Sequence, residues 1–316
     1  MIGAAILQLF QLLLVLLLAP GLTGLVRKAK ARLQGRRGPG LLQPYRDLLR
    51  LLRKEAVIAD NASWVFRFAP YLTFTSLWLA AALIPTFAQR LPLSPIADLI
   101  ALVAIIGAAR FAMALAGLDI GTSFGGIGSS REMMIATLAE PAMLLVIFTA
   151  ALLLGTTSLP DIAGFLATTS VGLRVSLGLG LVALVMVAIA ENARVPVDNP
   201  ATHLELTMVH EAMILEYSGR HLAVIEAAAS LKLLLYLSVI GCVFAPWGVA
   251  VVGEGIVTYL VSVAVYTAKL VVAGFLLAVF ETVIAKMRVF RVSDFLGAAL
   301  MLGLLAALLL FVSRGT

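Results

Sequence analysis

Thiols and imidazoles are scarce in this sequence. Its 316 residues include one cysteine, Cys242, and three histidines, His203, His210 and His221. One thiol excludes a disulfide within the chain and cannot hold an iron–sulfur cluster, which needs several thiolates. The histidines lie outside the predicted membrane spans and no HExxH motif occurs, which argues against a bilayer haem and a zinc site. We therefore expect no cofactor on this chain.

Charge is also scarce. Only 13% of the residues are charged and 62% are hydrophobic, whereas a soluble domain is roughly half apolar and about a quarter charged. Runs of about 20 apolar residues, long enough to cross a bilayer, predict eight membrane-spanning helices in one all-α domain, residues 1–316. We place them near 2–24, 68–88, 97–118, 134–155, 172–191, 223–245, 257–280 and 295–312. The first run lacks a preceding positive charge and a small-x-small cleavage site, so we expect it to be retained rather than cleaved.

Lysine and arginine are concentrated in the loops on one side of these spans, above all in the basic loop 25–67. This distribution predicts that the basic side is cytoplasmic and that both termini face outward from the inner membrane. After Pro44, apolar residues recur at helical spacing among arginines, which predicts an amphipathic helix in the cytoplasmic interface. The same segment could also bind a soluble partner protein.

Two charged residues in predicted spans stand out. Arg110 has no acid at helical spacing, so its partner must come from another span or subunit. Glu140 precedes Pro141, which interrupts helical hydrogen bonding. Glu140 is therefore a candidate proton carrier, and the alternative is a structural ion pair with Arg110 or Arg131. We expect Arg131-Glu132 to cap the start of span 4.

Further charges in the last spans could extend a proton path. Spans 6 and 7 carry Glu226, Lys232, Lys269 and Glu281, each costly in lipid. With Glu140 they could form a hydrated polar lane through the bundle, or else satisfied interhelical ion pairs. A glycine-rich segment, 117–128, follows span 3. We expect it to be a closely packed loop, because no strand precedes it and no Gly-Lys-Ser/Thr follows, which excludes a phosphate loop.

The loop 191–221 gathers many titratable groups in one short stretch. Its acids are Glu191, Asp198, Glu205, Glu211 and Glu216, and it holds all three histidines. Thr202 and Glu205 match a capping box, which predicts a short cytoplasmic helix ending near residue 215. On that helix Leu204, Met208, Glu211 and Leu215 would share one face, so Glu211 should be partly buried, and burial raises the pKa of a carboxyl group.

Three stretches together resemble the signature loops of one family. They are RRGPGLLQPYRDLLRLLRKE, GLDIGTSFGGIGSSREMM and ENARVPVDNP…LEYSG, in that order along the chain. The family is the membrane subunit of hydrogenase-4 and formate hydrogenlyase type complexes (group 4 energy-converting NiFe hydrogenases), more distantly related to complex I subunit 1. No internal repeat is visible, which argues against an inverted-repeat transporter.

The resemblance implies a non-catalytic membrane subunit that anchors a hydrogenase and couples electron transfer and H2 formation to ion movement. The implied partners are hydrogenase large and small subunits, a ferredoxin-like iron–sulfur subunit and antiporter-like membrane subunits. Those partners are expected to carry the NiFe centre and the 4Fe-4S clusters. The resemblance matches Glu191, Arg194, Asp198, Glu205, Glu216 and Tyr217 to family positions.

Two sets of residues summarise these expectations. The predicted proton relay comprises Glu140, Glu191, Asp198, Glu205, Glu211, Glu216, Glu226, Lys232 and Lys269. The predicted partner interface comprises Arg36, Arg37, Gly38, Pro39, Arg46, Asp47, Arg131, Arg194 and Tyr217. Two alternatives stay open: a quinone-site subunit 1 of a complex I-like dehydrogenase, and a stand-alone ion transporter.

Overall fold

The protein is a bundle of helices. The computed structural model describes residues 2–168, 175–198, 208–287 and 291–315. The helices are α1 (Ile2–Leu33), α2 (Gln43–Leu52), α3 (Trp64–Leu83), α4 (Leu99–Asp119), α5 (Ser123–Leu154), α6 (Leu159–Thr168), α7 (Val175–Glu191), α8 (His210–Ile214), α9 (Gly219–Phe244), α10 (Ile256–Val283) and α11 (Val292–Gly315). A two-residue parallel pair, β1 (Ala88–Gln89) with β2 (Ala250–Val251), joins two loops.

Six of these helices are long and apolar enough to cross a membrane. They lie in α1, α4, α5, α9, α10 and α11. The prediction of an all-α, multi-pass membrane protein is therefore confirmed. Helices α3 and α7 overlap the two remaining predicted spans, and the total of eight spans and the sidedness of the termini stay predictions.

Two predicted boundaries were wrong. Helix α1 extends beyond the predicted span 2–24 and continues to Leu33, with Pro20 inside it. The glycine-rich segment is largely helical rather than a loop, because α4 runs to Asp119 and α5 starts at Ser123. Arg131 and Glu132 consequently lie inside α5 and do not cap a helix start.

The predicted close packing of the glycine-rich segment is correct, and it brings α4, α5 and α8 together. A Cβ atom on Gly125 would collide with the Gly117 carbonyl oxygen of α4. On Gly128 it would lie 2.9 Å from the Val209 carbonyl oxygen, next to α8. The missing side chains therefore allow α8 to rest directly on α5, close to the buried charges described below.

The helices pack in two groups, around α5 and around α9, and share one apolar core. Helix α5 packs against α4, α7 and α11, and helix α9 packs against α1, α2 and α3. Buried aliphatic residues from α1, α3, α4, α5, α7, α9, α10 and α11 form one continuous cluster. The charged residues of α4, α5, α7 and α9 lie within this apolar surrounding, where an unpaired charge would be costly.

Candidate functional site

A cluster of opposite charges lies in the centre of the bundle. Arg110 of α4 places one guanidinium nitrogen 3.0 Å from Glu140 of α5 and another 2.6 Å from Glu191 of α7. Its Nε atom is 4.0 Å from Glu132. Arg110 therefore faces three carboxylates from two other helices, as the absence of an acid at helical spacing predicted.

Lys232 of α9 completes this central cluster. Its ammonium nitrogen is 3.1 Å from the second carboxylate oxygen of Glu191, whose side chain is only 1% exposed. The Tyr236 hydroxyl, one helical turn further along α9, contacts Met143 Sδ and interacts with Glu191. Glu191 is thus held from two sides by cations on different helices.

The central cluster carries an unbalanced formal charge. Three carboxylates (Glu132, Glu140 and Glu191) face two cations, Arg110 and Lys232, in these ion pairs. One proton on any of the carboxylates would balance the five groups. Carboxylates of two helices thus contact one guanidinium within an apolar surrounding, where charge is costly.

A small cavity adjoins the central cluster. It has a volume of about 70 Å³, enough for a few water molecules, and Thr73, Arg110, Glu132, Glu191 and Lys232 line it. Polar groups therefore face a space that water can enter.

A second, larger cavity of about 520 Å³ lies against the small one. The two share five lining residues: Asn192, Ala193, His210, Ile225 and Ala229. The larger cavity has many titratable lining residues: Arg27, Lys30, Arg36, Arg194, Asp198, His210, Glu211, Glu226 and Glu281. Because the walls are shared, the loop residues after α7 lie between the central cluster and the larger cavity.

Ion pairs fasten the wall of the larger cavity. Glu281 of α10 accepts from Lys30 at 2.9 Å and from Arg194 at 3.3 Å. Lys286 lies 3.2 Å from Asp198. Burial lowers the pKa of the Arg194 guanidinium, Glu281 raises it and Arg27 lowers it, with a net decrease. These wall pairs join α1, the loop after α7 and the end of α10.

The predicted relay residues do not lie together in the structure. Glu140, Glu191 and Lys232 meet in the central cluster, whereas Asp198, Glu211 and Glu226 line the larger cavity. Glu211 is partly buried as predicted, but Leu215 on its predicted face is exposed. Glu216 is exposed on the surface. Glu205 and the predicted capping box lie outside the described residues.

Lys269 lies apart from these groups. Its ammonium donates to the carbonyl oxygen of Ala245 at 2.6 Å and to that of Trp247. It also sits 5.0 Å from the centre of the Trp247 ring. These contacts follow the C-terminus of α9, whereas Lys232 reaches the central cluster from the middle of that helix.

The predicted interface residues are partly exposed and partly internal. Arg36, Arg37, Gly38, Pro39 and Arg46 are exposed, and Asp47 is partly buried. The other three make internal contacts. Arg131 donates to the Met208 carbonyl at 2.7 Å, and Arg194 pairs with Glu281. Tyr217 is buried, stacks on Phe66 and donates to its carbonyl at 2.8 Å; burial and Asp119 raise the pKa of its phenol group. Their contact with a partner stays a prediction.

Sequence reasoning missed two members of the site. Glu132 was interpreted as a helix cap, and Tyr236 was not singled out. The spacing in the sequence could have identified Tyr236, because it lies four residues after Lys232 and therefore on the same face of α9. Within the described residues, no group of three or more histidine, cysteine or acidic side chains is arranged to hold a metal ion.

Fold and site together define a class: a multi-pass helical membrane protein with a buried chain of paired charges beside a polar cavity. Comparison with known proteins gives the family. The profile described as NADH dehydrogenase matches residues 5–312, so the chain belongs to that family.

Individual relatives agree with this assignment. The chain is 36% identical to formate hydrogenlyase subunit 4 of Escherichia coli K12, covering 89% of this chain and 90% of that one. It is 33% identical to hydrogenase-4 component C of the same organism, over 77% and 76% of the two chains. It is 27% identical to an NADH-quinone oxidoreductase protein of Cytophaga hutchinsonii, over 78% and 77%.

A solved structure shares the fold. A chain of the membrane-bound sulfane sulfur reductase, an archaeal respiratory membrane complex, matches with a TM-score of 0.79 at 21% identity. The match covers 98% of this chain and 99% of the other. The resemblance to the hydrogenase-4 and formate hydrogenlyase membrane subunits is therefore confirmed at the level of the family.

Proposed function

We propose that this protein is the membrane-anchoring and coupling subunit of a group-4-type NiFe hydrogenase complex, similar to formate hydrogenlyase. It would link electron transfer and H2 formation in docked partners to ion movement across the membrane. The observation that carries this proposal is the chain Glu140–Arg110–Glu191–Lys232 beside a polar cavity. Charges this costly to bury are not needed to fold an apolar bundle.

The proposed path starts at the larger cavity. A redox change in a docked partner would alter the charge near Glu211, Asp198 and the exposed basic loop. A proton would pass from this cavity by way of the shared wall at His210 to Glu191. Arg110 would then allow Glu140 to take up the next proton, because both carboxylates contact the same guanidinium.

Glu140 is suited to the far end of this path. Its side chain is 43% exposed, far more than those of Arg110 and Glu191. It borders a groove of about 510 Å³ between α4 and α5, lined mainly by small and apolar residues. A half-exposed carboxylate at this position can exchange a proton with a neighbouring membrane subunit, which is how ion movement would leave this chain.

The test compares Glu191→Gln and Glu140→Gln in the complete complex, reconstituted in proteoliposomes. We expect each to lower ion movement per H2 by about a hundredfold, the lower end of the effect of a lost proton-transfer group. H2 formation with an artificial electron donor should stay near wild type, because no redox centre is touched. Glu254→Gln, at an exposed acid, is the matched control.

Full ion movement in both variants would reject the relay. Failure of the tagged chain to co-purify with any nickel-containing partner would reject the hydrogenase assignment.

A second candidate is a quinone-site subunit of a complex I-like dehydrogenase. The larger cavity, at about 520 Å³, favours it, since its size fits a substantial ligand. Inhibition of the purified complex by quinone analogues, competitive with added quinone, would support this candidate. Insensitivity to such analogues with full H2 formation would exclude it.

A further inference from the structure

An apolar cavity lies under helix α2, away from the polar ones. It has a volume of about 260 Å³ and is lined by Leu16, Ala19, Pro20, Tyr45, Leu48, Leu49, Ala227 and Leu231. These residues come from α1, α2 and α9. None of them lines the cavities of the central site. The site is therefore distinct from the proposed proton path.

A break in α1 explains why α2 stands at this place. Pro20 lacks an N–H group, so the helical hydrogen bond to Leu16 is missing. The Tyr45 hydroxyl donates to the carbonyl oxygen of Leu17, beside this break. Gly21 allows the approach, because a Cβ there would lie 2.8 Å from the Tyr45 oxygen. Tyr45 thus fastens α2 to α1 and leaves the apolar cavity beneath it.

The rim of the apolar cavity has an open apolar side and a positive side. Leu49 is 55% exposed and Leu52 is 53% exposed. The positive side is formed by exposed arginines at spacings of four and three residues, which places them on one face of the helix: Arg46 and Arg50 of α2, and Arg53 directly after it. Asp47 is the one acid of α2 and lies 3.4 Å from Arg50, so this face keeps a net positive charge.

We propose that the cavity under α2 binds an anionic phospholipid of the surrounding leaflet. One acyl chain fills the apolar space between α1, α2 and α9, and the headgroup phosphate contacts Arg46 and Arg50. Guanidinium groups bind phosphate oxygens in pairs, and basic side chains on an amphipathic helix attract anionic lipids. The bound lipid would hold α2 against α1 and α9.

The apolar lining and the charge select this occupant. A cavity lined by apolar side chains and one tyrosine whose hydroxyl is already bonded to a carbonyl attracts water poorly. A zwitterionic lipid would offer the same chains but no net charge to the arginines. Phosphatidylglycerol and phosphatidylcholine with identical chains therefore separate the contribution of the headgroup from that of the hydrocarbon.

The test uses the complete complex in nanodiscs that contain a photoactivatable phosphatidylglycerol, with the reactive group on its acyl chain. We expect labelled peptides from α1 around Pro20, from α2 or from α9 around Ala227. Labelling should weaken about fivefold for each arginine removed in R46Q, R46Q/R50Q and R46Q/R50Q/R53Q, the contribution of one basic group near an anionic surface. R32Q/R36Q/R37Q removes equal charge from the same membrane face and is the matched control.

A second variant tests the cavity itself. Ala227→Phe fills the space without changing charge and should abolish labelling at the three sites; Ala227→Leu serves if the larger residue lowers the yield. Equal labelling by phosphatidylcholine, unchanged labelling in Ala227→Phe, or displacement of the probe by a quinone analogue would overturn the proposal. So would a crosslink from these positions to a partner's transmembrane helix in place of the lipid.

Discussion

Two groups of buried charges can be compared within this protein. In the central cluster, carboxylates of different helices share Arg110. The cluster has three carboxylates and two cations, so one negative charge is unbalanced. In the wall of the larger cavity, Lys30 and Arg194 both hold Glu281, and Lys286 holds Asp198. In the central cluster three acids share one guanidinium, whereas in the wall two cations hold Glu281 and Lys286 holds Asp198.

The difference teaches that buried ion pairs in one membrane protein can have different uses. In the wall, Glu281 links α1, the loop after α7 and α10 through its two cations, which holds these segments together. Acids that compete for one guanidinium can change protonation without losing every partner. Substitutions in the two groups should therefore affect stability and coupling in different proportions.

The largest effect is expected for Arg110→Met. It leaves Glu191 paired with Lys232 alone and removes the guanidinium that Glu132 and Glu140 contact, and losing one partner of a buried pair costs about 3–5 kcal/mol. Thermal unfolding of the complex in nanodiscs measures the loss. Arg291→Met, at an exposed arginine outside the predicted partner interface, is the control. Equal stability of the two variants would show that Arg110 is already hydrated and that the central cluster does not hold the helices.

A smaller effect is expected for Glu281→Gln in the wall. The amide keeps one acceptor but leaves Lys30 and Arg194 without a counter-charge, which should cost about 2 kcal/mol of folding stability. Ion movement per H2 should stay normal in the protein that remains folded. Loss of coupling at normal stability would erase the distinction between the two groups.

Lys269→Met should cost about 1 kcal/mol, because the ammonium holds the carbonyl groups that follow the end of α9. Unfolding by denaturant measures this change. We expect ion movement to be unaffected, since Lys269 contacts carbonyl groups rather than a member of the central cluster. Ion movement lowered as far as in Glu191→Gln would restore Lys269 to the relay.

The smallest change in stability is expected for Gly107→Ala, below about 1 kcal/mol. A Cβ at this position would lie 3.2 Å from the Glu140 carboxylate oxygen that contacts Arg110. The flexible side chain can move away, but only by lengthening its ion pair. We expect partial loss of ion movement with little loss of stability. Gly178→Ala, where an added Cβ meets nothing within 4 Å, is the control.

Part of the site could be predicted from single residues. Arg110, Glu140 and Lys232 stand out because a charge in an apolar run needs a reason, and the prediction that Arg110 pairs with another helix is confirmed. The pairing of Glu140 with Arg110 was one of two ion pairs offered as an alternative, whereas the pairing of Glu191 with Arg110 and Lys232 could not be predicted, because these residues lie on three helices far apart along the chain. Glu132 was assigned to a helix start because glycines were interpreted as a loop, although small residues also allow close helix packing.

Lys269 shows that the energetic cost of a charge in lipid does not by itself identify the role of that charge. Its charge in an apolar run suggested a relay, but a lysine can also be satisfied by carbonyl groups at a helix end, and sequence does not distinguish the two. Tyr236 shows the opposite case, since an aromatic residue in a span is unremarkable until its hydroxyl is seen beside Glu191.

The order of apolar runs, the crowding of basic residues into a few loops and the burial of several charges in lipid-length helices follow from the sequence alone, because hydropathy and charge act locally along the chain. The tertiary structure decided which carboxylates share Arg110, which cations clamp Glu281 and where water can enter. Those pairings depend on how helices from distant parts of the chain cross, and a difference of one turn in packing would exchange one partner for another.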